Sequence, residues 1–230
     1  MGYTLTRSEF DQVLEGLSEK YRLYAPVLKK GQGRFTDTDV VIYDFVYSSS
    51  EIEFEKKSDY SFKEILTPLS QTLFFFTENV IKEADIDDSE AIVFLRSCDM
   101  HALKRLDQIY LHNGSHVDSF YKKIRDKLHF VLIGCTSSFQ DCFCVSMGTN
   151  RMEDGYLFSV NYVDGHYDVD LKDASLEELF ADSGAAAGDV TAAYVTENEV
   201  EVHVPEEIPN SVIGSDLWKE YDKRCVACGR

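Results

Sequence analysis

Cysteine is the residue type in this sequence with the clearest chemical potential. All six cysteines fall into two groups. Cys98, Cys135, Cys142 and Cys144 form the first, Cys225 and Cys228 the second. Cys98 follows an apolar run in Arg96-Ser97-Cys98-Asp99, and Cys135 follows another in Gly134-Cys135. Seven residues beyond Cys135 comes Asp141-Cys142-Phe143-Cys144, near enough to fold back. Clustered cysteines in a chain read as cytoplasmic point to metal or redox chemistry more than to structural disulfides. Four thiolates suit Zn²⁺ or an iron–sulfur cluster. Such a ligand set carries roughly −4 before any metal is counted, which a helix N-terminus and backbone amides offset. Asp99 is expected to cap a helix after Cys98, and Gly134 and Gly148 to allow close backbone approach. The competing reading is that some of these thiols are core residues, since free cysteine is often buried.

The second group stands in Arg224-Cys225-Val226-Ala227-Cys228-Gly229-Arg230. Cys-x-x-Cys-Gly opens many ferredoxin-type motifs. Two thiols do not complete a four-thiolate site, so either the chain was cut short here or the remaining ligands come from elsewhere; as it stands, the stretch reads as a frayed tail.

The elements that must position the first group are legible. Residues 91–95 (Ala-Ile-Val-Phe-Leu) and 128–134 (Leu-His-Phe-Val-Leu-Ile-Gly) read as buried strands, with a helix over 100–111 between them. Strand, helix and strand predict a parallel βαβ core. Both strand-end thiols then emerge at the carboxyl edge of the sheet, where open α/β sheets place ligands. Upstream, Thr6 and Glu9 make a capping box for a helix over 5–21, with Phe10, Val13, Leu14, Leu17 and Tyr21 on one face. Strands are expected at 24–28, 40–46 and 52–55, antiparallel or mixed because the connections are short. Residues 62–81 read as helical, with Pro68 kinking the helix or starting a second piece; the run 73–76 suits a buried helix or a strand. Residues 85–89 read as an acidic loop. A hairpin is expected over 156–171 with Asp164-Gly165 at its turn. A short helix over 176–180, a small-residue hinge at 183–188 and strands at 193–195 and 200–204 follow; Pro205 and Pro209 mark an extended exit. The fold class is therefore α/β, a mixed sheet with a βαβ core and an added β-hairpin region. Residues 1–204 form the domain, its hairpin-rich part at 156–204, and 205–230 a linker with the start of a ferredoxin-type region.

Composition narrows the function. The chain has 230 residues, with 23 Lys+Arg against 41 Asp+Glu, a formal charge of −18. That excludes a counterion-releasing grip on nucleic acid and disfavours anionic membranes. With 44% apolar and 13% aromatic residues the composition is globular. No apolar stretch approaches the roughly 20 residues of a membrane span, and no signal-peptide pattern opens the chain, so it reads as soluble and cytoplasmic.

Three blocks resemble a known family. Arg96-Ser97-Cys98-Asp99-Met100-His101-Ala102-Leu103 is similar to a block in the iron–sulfur subunit of anaerobic sulfite reductase and in the related beta subunits of sulfhydrogenases. Gly134-Cys135 with Asp141-Cys142-Phe143-Cys144-Val145-Ser146-Met147-Gly148 resembles their second block. Cys225-Val226-Ala227-Cys228-Gly229-Arg230 resembles the opening of their ferredoxin region. The resemblance implies electron transfer from a flavin- and NADH-binding subunit to a sirohaem-bearing subunit that reduces sulfite. It implies that Cys98, Cys135, Cys142 and Cys144 ligate a [4Fe–4S] cluster, with Cys225 and Cys228 as further iron ligands. Complete ferredoxin-type clusters need ligands beyond Arg230. No catalytic residue is assigned.

The remaining candidates have plainer readings. His101, near Cys98, is expected to face solvent or hydrogen-bond locally; His112 and His116 have no partner at ligand spacing. Arg96 is expected to counter cluster charge, Lys104 and Arg105 to face solvent, and Phe74-Phe75-Phe76 to lie in the core. Trp218 and Tyr221 are expected to cover the terminal motif or dock the tail. No dinucleotide-binding glycine pattern, phosphate-binding loop or nucleophile elbow occurs. The alternative function is a docking module without redox chemistry, its thiols holding Zn²⁺ or nothing.

Overall fold

The structure, a computed structural model, describes residues 1–225 except 36, 85, 86, 88, 208 and 209. Cys228, Pro209 and most of the acidic loop expected at 85–89 lie outside the described residues. The residues form two compact units, Met1–Val200 and Glu201–Arg230.

The first unit opens with β1 (Gly2–Leu5) and α1 (Arg7–Ser18). The Thr6 hydroxyl accepts the Glu9 N–H, and the Glu9 carboxylate accepts the Thr6 N–H at 2.6 Å, closing the expected capping box. Next come β2 (Arg22–Lys29), β3 (Val40–Phe45), α2 (Lys63–Leu66), β4 (Phe74–Phe76) and β5 (Ile81–Glu83). The chain then runs through β6 (Ala91–Arg96), α3 (Ser97–Leu111), α4 (Ser119–Arg125) and β7 (Leu128–Ile133). It ends with β8 (Phe158–Val163), β9 (His166–Leu171), α5 (Glu177–Asp182) and β10 (Ala186–Gly188). The second unit carries α6 (Asn210–Ile213) and α7 (Asp216–Asp222), where Leu217, Trp218 and Tyr221 are exposed.

Eight strands make one mixed sheet in the order β10-β1-β9-β8-β7-β6-β2-β3. Its centre is parallel: β6 pairs with β2 and β7, and β7 with β8. The flanks are antiparallel, with β2–β3 on one side and β8–β9–β1–β10 on the other. The predicted βαβ core and hairpin are both present. The hairpin turn has Asp164 at φ 49° and Gly165 at φ 85°, the left-handed pair a two-residue turn requires.

All six residues of β6 are buried because both faces of the central strands are covered. Ile92 and Phe94 join Val131 and Ile133 beneath α1 and Phe180 of α5. Ala91, Val93 and Leu95 join Phe130 and Leu132 beneath Phe62, Leu66, Met100, Leu103 and Tyr121, carried on or beside α2, α3 and α4. Two helical layers thus clamp the strands that end at Arg96 and Ile133.

Several expectations fail for identifiable reasons. The 62–81 helix is only the four residues of α2. Thr67 bonds its hydroxyl back to Lys63 O at 2.9 Å, and Pro68 has no N–H to continue the ladder. Phe74, Phe75 and Phe76 are not core. They form a two-stranded ribbon with β5 and are exposed, Phe76 by 81%. Residues 52–55 supply a single bridge, Val27↔Ile52, instead of a strand. The hinge expected at 183–188 contains β10, which adds to the sheet edge beside β1. Residues 193–195 and 200–204 form no strand; side chains from elsewhere in the fold occupy peptide groups of the former segment.

A cysteine cluster at the carboxyl edge of the parallel strands

β6 passes into α3 without a loop, so Cys98 is the second residue of a fifteen-residue helix. Its thiol lies at the positive end of that helix, a place that favours thiolate. Asp99 does not cap from outside the helix as expected, because α3 begins two residues earlier, with Arg96 at the cap. Its carboxylate reaches back to the Arg96 backbone N–H and accepts the Tyr43 hydroxyl at 3.3 Å. Burial raises Asp99 above the usual carboxylate range, while the Arg96 charge and the Tyr43 bond pull it down.

β7 ends at Ile133, and Gly134-Cys135 continues from its carboxyl end. Gly134 has to be glycine: a Cβ there would stand 2.0 Å from Asn161 Oδ1. Asn161, on β8, accepts the Ala193 N–H at 2.8 Å and donates to Thr191 O at 2.9 Å. Cys135 N–H donates to Ala193 O at 3.1 Å. Asn150 donates to Val195 O at 2.8 Å, and the Arg151 guanidinium stacks 3.6 Å from the Tyr194 ring centroid. Segment 191–198 is therefore a strap along the cysteine loop, bonded by side chains and by the Cys135 N–H and not by a strand partner.

The loop bearing Cys142 and Cys144 is tied at both ends by Asn198. Its Oδ1 accepts the Val145 N–H at 2.8 Å and stands 3.6 Å from the Cys144 sulfur; its Nδ2 donates to Ser138 Oγ at 2.9 Å. Asp141 and Gly148 turn the loop with φ of 64° and 63°. The Ser97 hydroxyl donates to Thr149 O at 2.8 Å, joining the loop to the start of α3.

Cys98 and Cys135 each lie close enough to neighbouring cysteines to feel their charge. Cys98 is pushed up to about 12, first by loss of hydration, then by Asp99, Cys135 and Cys144. Cys98 nonetheless retains solvent-exposed surface; crowding on its protein side, not full enclosure, causes the shift. Burial also raises Cys135 against the Arg96 charge and hydrogen bond, and Cys144 and Cys142 raise it further. The five described cysteines are free thiols. Among the described residues, no three His, Cys, Asp or Glu side chains gather closely enough to share one metal ion. One zinc ion would need its thiolates at about 2.3 Å. A multi-iron cluster asks less convergence, because each thiolate binds a different iron. The donor set fits an iron–sulfur cluster in kind: four thiols, one of them hydrogen-bonded by the buried Arg96 guanidinium.

The other candidates lie elsewhere. Cys225 is exposed in the second unit, and Cys228 is outside the described residues. His101 donates its Nε2–H to Arg151 O at 2.8 Å, a tether between α3 and the chain before β8. Asn161, Asn198 and Tyr43 are the site residues that sequence reasoning misses. A weak signal existed in Asn161, a polar residue within a strand-like segment, and none in Asn198.

No protein-family model matches the chain, and no solved structure does. The chain is 28% identical over 251 residues to sulfhydrogenase 2 subunit beta of Pyrococcus furiosus, a match that spans 100% of this chain and 70% of that protein. It is thus a distant relative of a protein from the sulfhydrogenase branch of the expected resemblance. Among the described residues no helix is long and apolar enough to cross a membrane.

Proposed function

We propose that this chain is an iron–sulfur electron-transfer subunit of a multi-subunit oxidoreductase, and that Cys98, Cys135, Cys142 and Cys144 hold a [4Fe–4S] cluster. The observation supporting this most is the placement of Cys98 and Cys135 where two neighbouring parallel strands end, each within reach of the charge of other cysteines. When bound, such a cluster takes up and gives back single electrons at a potential set by charge, hydrogen bonds and burial. The chain's own part is to fix two sulfurs on rigid elements, hold two on a tethered loop, and donate to sulfur from Arg96. No residue is asked to move a proton.

A likeness to a protein whose name makes it one subunit of several supports partner subunits. The donor in this reading is a flavin- and NADH-binding subunit in the cytoplasm. The acceptor favoured by the sequence blocks is the sirohaem subunit of an anaerobic sulfite reductase. Cys225 and Cys228 contribute to a further ferredoxin-type cluster that needs ligands beyond Arg230.

Anaerobic purification with iron and sulfide analysis, visible absorption and EPR after dithionite reduction tests the cluster. About four iron and four sulfide per chain, lost in Cys142→Ser, is the expected result. A colourless protein after reconstitution overturns it. Zinc without iron would favour the docking alternative instead.

A further inference from the structure

Arg96 is the last residue of β6, and its side chain is only 5% exposed. A guanidinium stays charged under all ordinary conditions. Burying one without a counter-charge is strongly unfavourable. Among the described residues, no carboxylate lies within ion-pair distance of it. Asp99 feels its charge, but its carboxylate engages the Tyr43 hydroxyl and the Arg96 backbone, not the guanidinium. The guanidinium is nevertheless rigidly held. Nη2 donates to Phe54 O at 2.8 Å and Lys56 O at 3.3 Å. The Phe139 ring lies against its face, 4.6 Å from centroid to guanidinium carbon. Nη1 remains, and it points at the Cys135 sulfur at 3.6 Å. The one acceptor of this buried cation able to carry a full negative charge is a cysteine sulfur.

We propose that Arg96 is a positioning residue whose fixed positive charge, hydrogen-bonded to the Cys135 sulfur, sets the reduction potential of the site. The proposal rests on the cluster reading above. Reduction adds one electron to a group already ringed by thiolates, and no bond to Arg96 forms or breaks. A cation at hydrogen-bond distance favours the reduced state over the oxidised one. The two backbone carbonyls and the Phe139 ring keep the charge in place, so little reorganisation accompanies the electron. Among the described residues no carboxylate hydrogen-bonds the guanidinium, so its Nη1 donor is left to the sulfur.

The test is an EPR-monitored redox titration of the full chain, reconstituted anaerobically, for wild type, Arg96→Gln and Arg96→Lys. Iron content and thermal melts are measured alongside. The expected result is wild-type iron in all three, with the reduction equilibrium of R96Q at least tenfold less favourable. For a one-electron couple that is about 59 mV more negative. R96K, which keeps the charge, stays within threefold of wild type. An R96Q potential equal to wild type overturns the Arg96 assignment and leaves the cluster reading standing. Wild type that takes up no iron removes both. Should R96Q fail to fold, R96K decides. Normal iron and a potential within threefold of wild type support the charge role. A larger displacement, or failure to fold or load, overturns it, because planar donor geometry rather than charge would then be what the site needs.

Discussion

Asn198→Ala should loosen the loop that carries Cys142 and Cys144 while leaving the sheet intact. Asn198 belongs to no helix or strand, yet its side chain accepts from Val145 N–H and donates to Ser138 Oγ. Alanine removes both bonds and the weak contact with the Cys144 sulfur. Each ordinary hydrogen bond contributes about 1 kcal/mol net, and the half-buried amide is reachable by water once freed, so the loss is about 2 kcal/mol. It falls on local opening of 138–145, because none of these groups supports the two cores. At about 1.4 kcal/mol per tenfold, protection of the Val145 amide should drop about 30-fold. Hydrogen exchange followed at single-residue resolution measures it directly. Amides in β6 and β7 should exchange as in wild type, since those strands open only with the whole domain. A Val145 amide within threefold of its wild-type protection refutes the tether. An equal loss across β6 and β7 would also refute it, by showing the loop to be inseparable from the core.

Gly134→Ala should disturb the same site from the sheet side. The new Cβ displaces Asn161, whose side chain holds Thr191 and Ala193, so overpacking costs about 1–3 kcal/mol and frees the strap; a melt unchanged from wild type contradicts this. Phe76→Ser should change stability by less than about 0.5 kcal/mol in urea unfolding, because the ring is exposed and not core. Glu9 is held below the usual carboxylate range by the Thr6 backbone and hydroxyl. A depressed folded pKa gives stability that is present above the unfolded value and lost as pH falls through the folded one. Glu9→Gln should therefore be less stable than wild type at pH 7 and match it in strong acid; a pH-independent difference would count against the capping box.

The positions best read from sequence are those whose signals are local. The capping box needs only Thr6 and Glu9, and the hairpin turn only Asp164-Gly165. Strands β6 and β7 announce themselves as unbroken apolar runs because both faces are buried. What was illegible depends on distant partners. Residues 74–76 look like core by composition, and nothing local reveals that they form a two-stranded ribbon with all three rings exposed. Residues 193–195 have a strand's composition, but Asn161 and Asn150 claim their peptide groups from 32 and 45 residues away. The cysteines were singled out because their type and strand-end placement are informative. Asn198 was not, because an asparagine in a polar segment is ordinary until the fold brings it to Val145. For Arg96 the charge was legible and the burial was not. Only the fold shows that a guanidinium at the end of a central strand lacks a carboxylate and meets a sulfur.

The site is built from two halves of unequal stiffness. Cys98, in the first turn of α3, and Cys135, two residues past β7, follow directly on strands whose displacement would disrupt both cores, so their spacing is as stable as the domain. Cys142 and Cys144 hang on a loop closed by single hydrogen bonds from Asn198, Ser97 and the backbone. Loop contacts of this kind open at a small fraction of the free energy of global unfolding. On the proposed reading, two fixed sulfurs and two on a more easily opened loop would let a cluster enter without a change in the sheet. Arg96 belongs with the fixed pair: it ends the same strand that leads into Cys98, and it bonds the sulfur that follows the neighbouring strand. Its charge is therefore set by the rigid half of the site, and opening of the loop leaves it where it is.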